Sequence, residues 1–404
     1  MNVISIGVDN NKIGELFYDE KNREYGFNYT KDLTPISLTM PYQKKSYVNR
    51  FALHPIFEMN MPEGYLFEIF KNFLSKEYGY MNDFLVLSYL APNIEGRLTF
   101  QSEFKKKLFT EMNINEILEN DSDDTFLKLL HTFLDKNAIS GVQPKTLALI
   151  KDKETLLTKE YIVKTWGDEY PYLAENEYFC MKTVEKAGVK IPKIQLSKNA
   201  KFLLVEKFNY SKEKDEFLGF EEMLVLLGKN REKKYSGSYE QIAKVIYSVT
   251  TDKVNSMAQF YKTVVMNYLL KNGDAHLKNF GILYTNDFKE ISYSPAYDIV
   301  NTVAYVHRDK PALTMFGKKV WWGKEELIRF GIDHCFLSEG KAKIFYLESK
   351  KALQEMILEL EVYIENNPKF KTIGMRMLNT WNLSLNEKTY KEMPLETIRH
   401  WKKS

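Results

Sequence analysis

The chain has 404 residues, a length that suits two or three domains better than one core. Hydrophobic residues make up 44%, charged residues 27% and aromatic residues 14%, which excludes a disordered chain. The 57 Lys and Arg nearly cancel the 54 Asp and Glu, so no global field favours direct nucleic-acid binding, and such contact would need a local patch or a partner.

The amino terminus, MNVISIGVDNNKIGE, lacks a basic segment followed by a long apolar core. No apolar run approaches the roughly 20 residues of a membrane span. A soluble, cytoplasmic protein without a membrane partner is expected. Residues 3–8, 13–18 and 25–30 are short apolar or aromatic runs separated by DNNK and DEKNRE, a pattern that predicts small antiparallel strands. From MPEGYLFEIFKNFL onward Leu66, Ile69, Phe70 and Phe73 recur at helical spacing, and GRLTF at 96–100 reads as a returning strand. The lysines at 105–107 read as a solvated face. ENDSDDTF at 119–126 is acidic and short of apolar anchors, and marks a boundary.

Beyond it, ISGVQPKTLALI passes from a glycine turn into an alternating strand, and EYIVKTW is another. LAENEYFCMKTVEKAGV predicts a helix ending near Gly188, and KFLLVEKF a buried strand. Strand, strand, helix, strand resembles the small lobe of a protein kinase. The remainder is mostly helix-periodic, as in NSMAQFYKTVVMNYLL and ALQEMILELEVYIENN. The expected organisation is therefore a β-rich module over 1–125, a small lobe over 126–208 and a helical large lobe over 209–404. The two cysteines, Cys180 and Cys335, lie far apart without metal-ligand spacing and read as buried thiols of a reducing compartment.

NGDAHLKNF at 272–280 carries an aspartate and an asparagine five residues apart, Asp274 and Asn279. Alone, the spacing also suits an ordinary turn. A kinase catalytic loop uses it to place a carboxylate that accepts the acceptor's proton and an amide oxygen that holds magnesium. SPAYDIVNT adds Asp298 on the far side of a strand pair, FGILYTNDFKEISYS, so that two carboxylates and an amide can converge on a divalent cation. Lys164 ends an apolar strand, where an unpaired lysine is costly. Glu177 lies on the apolar stripe of the next helix, flanked by Leu173, Ala174, Cys180, Met181 and Val184. The two can form a structural ion pair or the pair that aims a lysine at ATP phosphates. Ser140, Gly141, Val142 and Gln143, followed by Lys145, form a loop able to offer backbone N–H groups to phosphates. VEKF, with Glu206 and Phe208, reads as a hinge on the adenine side. His276 and Lys278 can position the catalytic loop or contact the transferred group. Trp321 and Trp322, in GKKVWWGKEE, fit a partner surface or, better, packing in the large lobe.

Together these segments resemble the HipA-like serine/threonine kinases, toxins of bacterial toxin–antitoxin modules. The resemblance rests on GELFYDE, PISLTMP, MPEG, SGVQPKT, YIVK, ENEYFC, LLVEKF, NGDAHLKNF and YDIVNT, in family order over about the first three quarters of the chain. It implies an α+β, protein-kinase-like two-lobed fold with an added amino-terminal β-rich subdomain and a mostly helical carboxy-terminal lobe. It further implies ATP and Mg2+ as cofactors, Asp274 as base, Asn279 and Asp298 as metal ligands, Lys164 on the ATP phosphates, and Glu206 and Phe208 beside adenine. Implied partners are a translation component such as an aminoacyl-tRNA synthetase, as substrate, and a small DNA-binding antitoxin, with DNA reached only through it. The family's autophosphorylated serine commonly lies three residues before the loop glycine, but that position is Ala138 here, so Ser140 is the expected site. Asn209 follows Phe208 where relatives often have Asp. The alternative is a non-catalytic nucleotide-binding corepressor that bridges an antitoxin and operator DNA. A kinase of this fold with another target and no antitoxin is a third reading.

Overall fold

The computed structural model describes residues 3–8, 11–30, 33–61, 64–79, 81–104, 114–125, 128, 154–157, 161–167 and 169–387. They divide into two compact units. The first comprises Met1–Glu169, Leu196–Lys234 and Leu283–Lys289, and the second Tyr170–Gln195, Tyr235–Ile282 and Glu290–Ser404.

The first unit opens with an antiparallel sheet of β1 (Val3–Val8), β2 (Asn11–Asp19), β3 (Glu24–Tyr29), β4 (Tyr47–Arg50) and β5 (Leu98–Gln101), in the order β4-β3-β2-β1-β5. A turn at Glu20–Arg23 returns β3 beside β2, and β4 pairs with β3 after the segment 30–46. The GRLTF segment comes back as β5 against β1, with Ile6 opposite Phe100. Alternation buries Ile4, Ile6, Leu16 and Phe27 on one face, where they meet Phe57, Phe70, Leu74 and Val86 from helical segments. Helix Gly64–Tyr78 lies where the three-and-four spacing predicts it.

Glu221 belongs to the same unit and is fully buried. Its Oε1 accepts from the Leu38 backbone N–H at 2.8 Å and the Tyr284 hydroxyl at 2.7 Å, and its Oε2 from the Ser37 hydroxyl at 2.9 Å. Burial pushes its carboxyl above the usual range, against those donors and the charge of Arg97. Arg97 donates to the carbonyls of Pro35 and Ile36 and to Asn286 Oδ1. Asp121, inside the acidic stretch 119–126, is also buried. It accepts from Ser197, Asn199 and Lys201, so hydrogen bonds from a distant part of the chain anchor a stretch that has few apolar side chains. Strands Tyr161–Thr165 and Phe202–Glu206 run antiparallel, with Lys164 opposite Leu203 and Tyr161 opposite Glu206.

The second unit is helical around Lys253–Leu270, whose side chains from Phe260 to Leu270 are all buried. Helices Leu173–Lys186, Tyr239–Val249, Glu339–Asn366 and Lys371–Leu385 surround it. Trp381 is fully buried, and the Tyr261 hydroxyl donates to the Ala342 carbonyl at 3.2 Å. Asp252 caps the central helix by accepting from the Asn255 N–H. The helix stops because Lys271 turns left-handed, at φ 60°, while the Asn272 N–H reaches back to the Asn267 carbonyl at 2.9 Å. Helix Leu173–Lys186 ends likewise before Gly188, at φ 75°. Both cysteines are buried and free. No helix among the described residues is long and apolar enough to cross a membrane.

Candidate active site

The stop of the central helix delivers NGDAHLKNF as a pinned loop within the second unit. Asn272 accepts from the Asp274 N–H at 3.1 Å and donates to Asn267 Oδ1 at 2.8 Å. The Gly273 N–H donates to Thr302 Oγ1 at 2.8 Å, and the Thr302 hydroxyl donates to Asp309 Oδ2 at 2.5 Å. A Cβ at Gly273 would lie 2.0 Å from that Asp309 oxygen, so a side chain there would have to displace the Asp309 carboxylate. Lys271, just before the loop, lies over the Trp321 ring at 5.0 Å, and burial lowers its ammonium to about 8.

Asp274 is half-buried, and its Oδ1 accepts from the Tyr235 hydroxyl at 2.8 Å. Asn279 is buried. Its Oδ1 accepts from the His276 N–H at 3.0 Å, and its Nδ2 donates to Asp298 Oδ2 at 2.7 Å. His276 is buried with its ring 5.1 Å from that of Tyr235, and the Lys278 carbonyl accepts from the Tyr297 hydroxyl at 2.7 Å. The hairpin of Gly281–Tyr284 and Ile291–Tyr293 returns the chain from the loop towards Asp298. Asp298 adopts φ 58°, a left-handed backbone that aspartate tolerates better than most residues.

Asp274, His276, Lys278, Asn279 and Asp298 are therefore brought together. Among the described residues no group of three or more His, Cys, Asp or Glu could hold a metal. One carboxylate and one amide suit magnesium completed by phosphate oxygens and water, and they do not make an all-protein cage. The Asn279 oxygen keeps a second lone pair beyond the His276 contact.

Glu177 is in the same unit, buried on helix Leu173–Lys186 as its apolar stripe predicts. The adjacent Asn176 makes a reciprocal pair with the Asn301 backbone: its Oδ1 accepts from the N–H at 2.7 Å and its Nδ2 donates to the carbonyl at 3.0 Å. The helix that carries Glu177 is thus tied to the segment that follows Asp298.

Lys164, Glu206 and Phe208 belong to the first unit. Lys164 is half-buried at the fourth position of its strand. Glu206 pairs with Lys212 at 3.0 Å, and Phe208 meets Phe220 edge-on at 5.1 Å. Ser140, Gly141, Val142, Gln143 and Lys145 lie outside the described residues, as do the lysines at 105–107. Trp321 and Trp322 are half-buried and donate to the carbonyls of Asp309 and Met315, which is packing in the large unit. Tyr235, Thr302 and the Asn176–Asn301 pair were not singled out by sequence, since each acts through a partner at least 29 residues away.

Residues 137–361 match the HipA-like C-terminal domain, and residues 4–101 match the HipA N-terminal domain. A candidate kinase of Haemophilus influenzae is 30% identical over 186 residues, 42% of this chain and 53% of that protein. Another, from Sinorhizobium fredii, is 26% identical over 204 residues, 45% of this chain and 49% of that one. The chain thus spans about half the length of these curated relatives. The solved Shewanella oneidensis MR-1 toxin–antitoxin complex of HipA, HipB and operator DNA aligns with a TM-score of 0.70 at 17% identity, over 95% of this chain and 97% of that one. At that identity the likeness is one of fold.

Proposed function

Because the chain belongs to the HipA family, we propose that it is an ATP- and Mg-dependent serine/threonine-protein kinase and the toxin of a toxin–antitoxin module. The observation that carries this reading is the 2.7 Å bond from Asn279 to Asp298, which joins the two ends of a catalytic-loop plan in one place beside Asp274. Asp274 takes the proton of the acceptor hydroxyl. The hydroxyl oxygen then bonds to the γ-phosphorus, the bond to the β–γ bridging oxygen breaks, and its electron pair leaves with ADP.

Asn279 and Asp298 are the residues that would hold magnesium, which when bound neutralises charge on the phosphate oxygens. Asn272 and Thr302 keep the loop rigid, so that the base does not have to be reoriented as the reaction begins. Lys164 is assigned to the ATP phosphates, Glu177 to its orientation, and Glu206 and Phe208 to the adenine side. Gly141, Val142, Gln143 and Lys145 are assigned to the phosphate loop, with Ser140 as its autophosphorylated residue. The substrate class is a translation component such as an aminoacyl-tRNA synthetase. The partner is a small DNA-binding antitoxin, a reading supported by the HipB and operator DNA of the Shewanella complex.

Radiolabelled ATP and magnesium added to a cell lysate with purified wild type or Asp274→Ala test the reading. Labelled protein only with wild type is the expected result. ATP binding without any transfer, even to the chain itself, would favour the corepressor instead.

A further inference from the structure

The geometry points to Tyr235 as the residue that orients the Asp274 carboxylate for proton abstraction, an inference that rests on the kinase reading above. Among the described residues the Tyr235 hydroxyl is the one side-chain donor to that carboxylate, at 2.8 Å on Oδ1. The other oxygen, Oδ2, is left for the acceptor's proton. A carboxylate held at one oxygen cannot spin about its terminal bond, so the lone pairs of the second keep a fixed direction. A phenol suits this task because it ionises near pH 10 in water and gives a hydrogen bond to a carboxylate without surrendering the proton.

Core packing does not account for the placement, since Tyr235 is 46% exposed. Its position is nevertheless fixed on both sides. Its ring stands edge-on to His276 at 5.1 Å, and its carbonyl accepts from Lys319 Nζ at 3.2 Å. Just downstream, the Gly237 carbonyl accepts from the Thr314 N–H at 3.2 Å and the Tyr239 N–H donates to the Thr314 carbonyl at 3.0 Å. The segment is therefore clamped to 314–319 before helix Tyr239–Val249 begins. Tyr235 contacts the base and not the reacting atoms, so its role is positional.

Full-length wild type, Tyr235→Phe and Asp274→Asn are compared by ADP release from Mg-ATP, with thermal midpoints alongside. Tyr235→Phe keeps the ring and removes one hydroxyl. It is expected to lower kcat about ten- to a hundredfold, the typical weight of a hydrogen bond to a charged group. The KM for ATP and the melting midpoint should stay unchanged, a split that loss of a merely structural contact would not give. A kcat equal to wild type would overturn the proposal. Faster ADP release would also overturn it, because the phenol would then be obstructing the acceptor's place. Wild-type turnover that Asp274→Asn leaves intact would overturn the kinase reading, and this proposal with it.

Discussion

Glu221 in the first unit and Asp274 in the second are both carboxylates reached by distant parts of the chain, and their surroundings differ in kind. Glu221 is sealed from water, with donors from Leu38, Ser37 and Tyr284 spread over both oxygens. Asp274 is half-buried and receives one side-chain donor, on one oxygen. A carboxylate that is buried and fully satisfied fastens segments together, and its lone pairs have no further work. One that is partly satisfied and partly wet is fixed in direction yet still able to accept a proton. Degree of satisfaction, more than residue type, separates a structural acid from a reactive one.

The sharpest test of that contrast is Asp274→Asn, which should lower phosphoryl transfer about 10²- to 10⁴-fold while leaving the melting midpoint in place. Glu221→Ala should do the reverse. Stranding buried donors of Ser37, Leu38 and Tyr284 should cost about 3–5 kcal/mol in denaturant unfolding of the first unit, with the rate per folded molecule retained. A rate loss without a stability loss there would break the comparison.

Thr302→Val should fall between the two. It removes the acceptor of the Gly273 N–H and should slow transfer roughly tenfold, with Thr302→Ser recovering most of the rate.

The smallest effect concerns pH. Burial raises the Glu221 carboxyl above its ordinary 4.5, so the folded state binds its proton more readily than the unfolded chain. The associated stability is fully present below about 4.5 and is lost as pH rises through the folded value. Glu221→Gln does not titrate. The stability difference between it and wild type should therefore shift in favour of wild type as pH is lowered from neutrality towards 4.5, which urea titrations at several pH values would measure.

Much of this architecture was legible because it is written in local periods. The alternation of VISIGV and EYGFNY predicts β1 and β3, and the spacing around Glu177 predicts its burial. The Asp274 to Asn279 interval and the later Asp298 singled out the loop because the proposed catalytic plan calls for that spacing. What escaped is held by pairs remote in sequence. Glu221 lies 184 residues from Ser37, Tyr235 lies 39 from Asp274, and Thr302 lies 29 from Gly273. No local pattern marks such pairs. Asp121 shows the same limit from the other side, because an acidic stretch looks solvated until its carboxylate meets the Ser197 hydroxyl and the N–H groups of Asn199 and Lys201.

The assembly of the first unit from three separate stretches sets a timetable for synthesis. Arg97 leaves the ribosome 189 residues before Asn286, and at about 5–20 residues per second it waits on the order of ten to forty seconds for that partner. Glu221 waits for Tyr284 over 63 residues. The β1–β5 sheet is complete once Gln101 has emerged, whereas the polar cluster that fastens it to later chain forms only after the hairpin segment Leu283–Lys289 is made. By then the Asp274 loop has already been synthesised, so a nascent chain holds the Asp274 carboxylate before the first unit can close around that of Glu221.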